Sequence, residues 1–491
     1  MAQTEGNRSS RAGELAPPTA CPARLESTDS KAEPREGRQE GGSAKTGEWQ
    51  SASEAPAVPE RAKQGEEARP RDWSWVETTI WTERMLAALD NGVQGSKWFS
   101  LIDKVARADT LRLAWEKVAR NRGAAGVDGQ SAEKFAAHAE IYLQELEQAL
   151  KQGSYRPLPV KRVDIPKGPG QTRPLGIPAV KDRIVQTALK RVIEPIFERE
   201  FHDSSYGFRP GRGCKAALRE VDKHLKEGLT HVVDADLKSY FDSIPHDKLM
   251  ARVIERISDG RILELIRAYL AQDVMKGLDR WTPIAGTPQG AVISPLLANL
   301  YLHPLDVLMA AKGYRMVRYA DDFVVLCRTA EEANQALAEI RVWVEGNGLT
   351  LHPDKTRVGD CREAGQGFDF LGYRFEAGRR WVRKKSLKAL KDKLRSKTGR
   401  TRGVSLGSII AEINPILKGW FGYFKHAHKL EFSRLDGFIR RRLRALLRKR
   451  EKRPGFGRCH ADHVRWPNAF FAEQGLFTLY GAHATASQSR C

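Results

Sequence analysis

The sequence predicts an α+β domain followed by a mostly helical, basic region. Between about Asn121 and Ala377, helical and strand-like stretches alternate, the pattern of a mixed fold. After Arg383, apolar stripes at helical spacing run between dense cations, as in Leu406 to Ile413 and Phe438 to Lys449. Charge divides the chain in the same way: of a net +21 over 491 residues, segment 379–453 holds 25 Lys and Arg against 5 Asp and Glu.

In chain order, residues 1–72 are rich in Ala, Glu, Gly, Pro and Ser, show no apolar period and carry 11 basic against 13 acidic side chains, the composition of a disordered head. Residues 73–120 open with Trp73, Trp75 and Trp81. There Leu101, Val105, Leu111, Ala114, Trp115 and Val118 recur at roughly helical spacing, which predicts a helical extension. Within 121–378, Ile184 to Phe197 reads as a helix entered through Asp182-Arg183. His231 to Leu237 alternates like a half-buried strand, and Tyr314 to Cys327 reads as two short strands around a tight turn. Residues 379–453 form the basic helical region, where Pro415 is expected to mark a break between helices. The tail, 454–491, is apolar enough between Arg465 and Tyr480 to dock on the body.

Composition bounds the function. No run approaches 18 apolar residues and the N-terminus lacks a secretory pattern, so a soluble intracellular chain is expected. The six cysteines (Cys21, Cys214, Cys327, Cys361, Cys459, Cys491) are far apart, which predicts reduced thiols and neither a disulfide framework nor paired zinc ligands. Cys459, His460 and His463 form a metal-like cluster with no fourth ligand. The surplus of cations points to a polyanionic partner, nucleic acid or an anionic membrane surface.

The chemistry lies in carboxylates. His231-Val-Val-Asp-Ala-Asp-Leu-Lys-Ser-Tyr-Phe-Asp242 places Asp234 and Asp236 on one face of a strand, with Val233, Ala235 and Leu237 on the other. About 80 residues later, Tyr319-Ala-Asp-Asp322 sets two adjacent acids at the tip of an apolar hairpin. An Asp pair in a turn is ordinary. Two neighbouring strands with separate carboxylates, however, can hold two divalent cations about 3.5–4 Å apart, which stabilises the attacking and leaving oxygens of a phosphoryl displacement.

The Tyr-Ala-Asp-Asp box, Asp236-Leu-Lys-Ser-Tyr-Phe-Asp242 and Gly286-Thr-Pro-Gln-Gly-Ala-Val-Ile-Ser-Pro-Leu-Leu-Ala-Asn299 resemble the motifs of reverse transcriptases. Three further segments narrow the resemblance: His202-Asp-Ser-Ser-Tyr-Gly-Phe-Arg-Pro-Gly-Arg-Gly213, Lys97-Trp-Phe-Ser-Leu-Ile-Asp103 and Ile413-Asn-Pro-Ile-Leu-Lys-Gly-Trp-Phe-Gly-Tyr-Phe424. They are similar to segments of the proteins encoded within bacterial group II introns, which act as reverse transcriptase and maturase. The resemblance runs from about Trp98 to Tyr480. It implies a right-hand polymerase, with fingers and palm over 121–378 and a helical thumb that doubles as maturase domain over 379–453. The implied activity is RNA-directed DNA polymerisation, together with binding of intron RNA to assist splicing and target-primed reverse transcription in intron mobility. Many such proteins end in an HNH-type zinc endonuclease, which the short tail is not expected to contain. Two other readings share part of the pattern: a defence- or CRISPR-associated reverse transcriptase, and a splicing-only maturase without polymerase activity.

Carried over by position, the resemblance implies that Asp236 and Asp321 ligate two Mg²⁺ ions, helped by the carbonyl of Leu237, with Asp322 completing the cluster. Phe241 would lie under the sugar and disfavour a 2′-hydroxyl, and Gln289 would lie along the template and incoming nucleotide. Lys167 and Arg173, in the Gly- and Pro-punctuated hairpin 163–178, would grip the triphosphate. Lys355, in Gly348-Leu-Thr-Leu-His-Pro-Asp-Lys-Thr356, would protonate the leaving pyrophosphate. Phe370-Leu-Gly-Tyr-Arg374 would support the primer, and Arg209 and Arg212 would supply template-side cations. Arg440, Arg441, Arg442, Arg444, Arg448 and Lys449 would contact intron RNA and the primer-template backbone, whereas Trp420, Phe421, Tyr423 and Phe424 read as core. The implied partners are intron RNA, a DNA target or primer and dNTPs, with no membrane. The implied location is the bacterial cytoplasm, with nucleoid association when the protein engages DNA. Oligomeric state stays open.

Overall fold

The computed structural model describes residues 73–93, 97–168 and 170–488. The expected disordered head and the side chain of Lys167 lie outside the described residues. The strands are β1 (Val160–Gly168), β2 (Gln171–Ile177), β3 (His231–Asp236), β4 (Val274–Lys276), β5 (Asp279–Trp281), β6 (Arg315–Tyr319), β7 (Asp322–Cys327), β8 (Arg357–Asp360), β9 (Phe368–Phe370), β10 (Tyr373–Glu376) and β11 (Arg379–Val382). They form three sheets, in the orders β2-β1-β4-β5, β6-β7-β3-β8 and β11-β10-β9.

The palm sheet positions the acids. β3 lies between β7 and β8, antiparallel to both, so that His231 pairs with Cys327 and Asp360, and Asp236 with Asp322. Side chains alternate across a strand, which makes this sheet two-faced. Val233, Ala235, Phe323 and Val325 enter one core with the helices Val180–Glu198 and Ser294–Ala311. Val232, Val317, Val324 and Leu326 enter a second core, shared with the helices Cys214–Lys226, Leu406–Phe424 and Lys429–Arg450. The palm and the basic region are therefore joined by apolar packing.

Several elements differ from expectation. Asp182 lies inside the helix Val180–Glu198, fully buried, where its carboxylate accepts from Tyr155 Oη at 2.6 Å and Leu158 N at 3.0 Å. Pro415 lies inside the helix Leu406–Phe424 and breaks nothing. An interior proline costs about 3 kcal/mol. Burial of Ile409, Ile410, Ile413 and Leu417 on both sides of it offsets that cost, at about 1.5–3 kcal/mol each. The boundary expected at 378/379 falls within the β10–β11 hairpin, so the helical region proper begins at Lys384. The tail docks as expected: Phe471 and Leu479 are buried, and the Asp436 carboxylate accepts from Leu479 N and Tyr480 N at 3.0 Å each. Among the described residues no helix is long and apolar enough to cross a membrane.

Candidate active site

The end of the β3–β7 ladder sets Asp236 directly opposite Asp322, and Asp321 lies on the turn between β6 and β7. In that turn Ala320 has φ +59°, a left-handed conformation that costs a residue with a Cβ about 1–2 kcal/mol. The atoms that hold the turn lie beneath it. Arg318 is fully buried and donates through Nε and Nη2 to the Asp306 carboxylate at 2.7 and 2.5 Å. Its Nη1 donates to the Ala320 carbonyl at 2.9 Å and to Asn299 Oδ1 at 3.0 Å. Asn299 Nδ2 donates in turn to the Gly207 carbonyl at 2.7 Å, and a Cβ on Gly207 would overlap the Tyr319–Ala320 backbone. Sequence reasoning missed Arg318, Asn299 and Asp306. Two of them adjoin or lie within quoted motifs, but only the fold shows that they meet.

The same geometry corrects one expectation. Arg209 is buried, with its guanidinium forked onto Glu198 at 2.7–3.1 Å and donating to the carbonyls of Phe201, His202 and Ser205. It is a structural cation, since a buried guanidinium with its donors engaged has none left for a template. Arg212 pairs with Asp203 and lies over the Tyr206 ring, still partly open to solvent.

Burial and mutual repulsion raise the carboxylates. Burial, then the neighbouring Asp234, Asp321 and Asp236, push Asp322 up to about 7. Burial takes Asp234 to about 6, with Arg357 at 3.2 Å opposing it. Asp321 is raised by burial and by Asp236, while Arg173 and Lys355 pull the other way. Lys355 Nζ stands 2.6 Å from Asp236 Oδ2. Hard oxygen donors that repel one another and have drawn in an ammonium suit a divalent cation. No group of three or more Asp, Glu, His or Cys among the described residues is gathered closely enough to hold a metal alone. A cation here would need Asp236 and Asp321 together with the Leu237 carbonyl and substrate oxygens.

Around this cluster the fingers hairpin meets the Pro-Gln-Gly loop. Gly176 N donates to the Gln289 carbonyl at 2.6 Å, and Gly290, at φ +110°, has no room for a Cβ against the Gly176 carbonyl. Gln289 Oε1 accepts from Arg173 Nε at 2.9 Å, and its Nε2 donates to Asp242 at 3.4 Å. Thr287 N donates to the carbonyl of Phe241, whose side chain is buried. Arg173 and Gln289 are thus brought together, and Gln289, Thr287 and Asp242 line a cavity of about 380 Å³. On the thumb side, Tyr423 Oη donates to the Leu371 carbonyl at 2.8 Å and Tyr373 Oη to the Tyr423 carbonyl at 2.6 Å, which fastens the β9–β10 hairpin to the helical region.

The cation run divides. Arg444 is buried and donates to the Trp466 carbonyl and Asn468 Oδ1, so it anchors the tail and offers RNA nothing, contrary to expectation. Arg442 donates to Thr398 Oγ1 at 2.6 Å, and Arg448 to Asp462 at 2.6 Å. Arg440 and Arg441 are half-buried and Lys449 is exposed. The Cys459 thiol donates to Asp462 and accepts from Arg448, which itself pairs with Asp462.

Residues 165–375 match the family model described as reverse transcriptase (RNA-dependent DNA polymerase), and residues 387–464 the one described as group II intron, maturase-specific domain. Protein YkfC of Escherichia coli K12 is 38% identical over 289 residues, covering 51% of this chain and 75% of that protein. An uncharacterized 91 kDa protein in the cob intron of Schizosaccharomyces pombe is 30% identical over 315 residues, 52% of this chain and 39% of its own. The group II intron-encoded protein LtrA of Lactococcus lactis is 36% identical over 203 residues, 41% of this chain and 33% of its own. Reverse transcriptases generally use divalent metal ions, in keeping with the oxygen donors gathered on β3 and β7. With both domains matched in order and three quarters of a relative covered, the chain belongs to the family of group II intron-type reverse transcriptases that carry a maturase domain.

Proposed function

We propose that this chain extends a primer on an RNA template and, through its basic helical region, holds group II intron RNA. The opposition of Asp236 and Asp322 across β3–β7, with Asp321 on the adjoining turn, carries the reading. The primer 3′-hydroxyl oxygen bonds to the α-phosphorus of a dNTP as the bond to pyrophosphate breaks. The hydroxyl gives up its proton, and the leaving pyrophosphate takes one up. Two Mg²⁺ ions on Asp236, Asp321 and the Leu237 carbonyl, with Asp322 completing the cluster, would supply charge stabilisation for the attacking and leaving oxygens. Arg173, already aimed by Gln289, grips the triphosphate with Lys167. Phe241 lies under the sugar and excludes a 2′-hydroxyl. Lys355, whose ammonium reaches the carboxylates, offers its proton to the pyrophosphate.

The partners in this reading are intron RNA, a DNA primer or target and dNTPs, in target-primed reverse transcription. The match of 387–464 to a maturase-specific domain favours this over a defence-associated role. The test is extension of oligo(dT) on poly(rA) with dTTP. Extension that requires Mg²⁺, stops with EDTA and resumes on adding Mg²⁺ is expected. No extension from a folded chain that binds intron RNA would leave a splicing cofactor.

A further inference from the structure

On the palm sheet, Asp236 ends β3 beside the catalytic turn, whereas Thr230 and His231 lie at its other end, next to Cys361. Six residues of strand separate the two by about 20 Å, at 3.3–3.4 Å each. At this far end lies a cavity of about 500 Å³, walled by the helix Cys214–Lys226, the β10–β11 turn and the chain that leaves Leu406–Phe424. Backbone bonds close its floor: Cys361 N donates to the Thr230 carbonyl, Ala377 N to the Cys361 carbonyl and His428 N to the Arg380 carbonyl. Ligand cavities commonly fall in this size range.

Its charges do not balance. Of the acids in its wall, Asp222 is paired with Arg380, and Glu376 with Arg374 at 2.7 Å. Arg362 is spent on Asp360 at 2.6 Å. Lys226, Arg379 and Lys425 come from three separate elements onto this cavity, and among the described residues no carboxylate lies within ion-pair distance of any of them. The field reaches the adjacent His428, whose ring is held below the usual imidazole range by partial burial, then by Arg379, Lys429, His483 and Arg434. Three converging cations repel one another unless an anion sits among them.

We infer that this cavity is a phosphate-binding site, filled by the sugar-phosphate backbone of folded intron RNA and separate from the cleft that holds primer and template. The inference rests on the maturase reading above. The fold favours RNA as the source of phosphate, because the cavity spans the junction between palm and maturase domain, where a polyanion can bridge the two bodies.

The test is the triple variant Lys226→Gln/Arg379→Gln/Lys425→Gln in the full chain. Two readouts are taken: binding of a labelled group II intron transcript across a salt series, and extension of oligo(dT) on poly(rA). Loss of three phosphate contacts should lower the slope of log K against log salt by about 2–3. Extension should stay within about twofold, and Lys226→Arg/Arg379→Lys/Lys425→Arg should bind as wild type does. Free inorganic phosphate at millimolar concentration should not release the transcript. An unchanged slope in an active triple variant overturns the inference, as does extension falling in step with binding, which would place the cavity on the primer-template path. Release by millimolar phosphate would assign the site to a small anion and overturn it too. A wild-type chain that does not bind the transcript sinks the maturase reading itself, a different failure.

Discussion

The acidic end of the palm sheet and the basic helical region each concentrate one sign of charge, and they treat it in opposite ways. In the palm, Asp234, Asp236, Asp321 and Asp322 are crowded onto two strands and a turn with few cations to oppose them, and burial with mutual repulsion raises Asp322 to about 7. In the helical region several of the cations spend their hydrogen-bond donors within the protein. Arg444 anchors the tail, Arg442 ties two helices together through Thr398, and Arg448 pairs with Asp462. Four acids opposed, among the described residues, by only two ion-paired cations, Lys355 and Arg357, beside a left-handed turn make the arrangement that suits an external cation. A run of cations in sequence says much less about where RNA binds.

That contrast can be broken most severely at Lys355. Lys355→Gln should lower the rate of nucleotide addition by about 10²–10⁴, with little change in the KM for dNTP, in single-turnover extension. An equal loss appearing only in KM would make Lys355 a binding residue.

Next come the arginines, which sort into buried ones and half-buried ones that still meet solvent. Arg209→Met or Arg318→Met leaves a buried carboxylate without its partner and should cost about 3–5 kcal/mol in denaturant unfolding. Arg441→Gln should cost under about 0.5 kcal/mol yet lower the salt slope of RNA binding by about 1. If Arg209→Met unfolds like wild type and lowers the slope instead, its structural assignment fails.

A smaller effect sharpens the palm side. Asp322 and Asp234 have folded pKa values raised above their unfolded ones, to about 7 and about 6, so the folded state holds extra protons between pH 4 and 7. Stability should therefore fall as pH rises through that window, by about 3 kcal/mol or more. Asp322→Asn should flatten the fall. Mg²⁺ should raise Tm more at pH 8 than at pH 5.5, because the ion competes with protons for the same oxygens.

Much of this was legible in the sequence. β3 announced itself by alternation, and the two-strand hairpin of 314–327 by apolar runs around two acids. Both gained meaning as a site only together, since their pairing is a long-range property. The support beneath the turn was not legible. Asp306 lies in the middle of an apolar helix, and its pairing with Arg318 depends on how that helix crosses the palm sheet. Arg209 misled because an arginine in a loop punctuated by Gly207, Pro210 and Gly211 reads as exposed, while the fold buries it against Glu198. Pro415 misled because local propensity favours a break that the surrounding core overrides.

The most direct test of the division between carboxylate chemistry and cationic binding is one variant in two assays. Asp321→Ala should lose primer extension on an RNA template by about a thousandfold or more, the scale expected when electrostatic stabilisation of the transition state is removed. It should bind a group II intron transcript with unchanged affinity and salt slope. Retained extension, or RNA binding that falls together with it, would contradict the account.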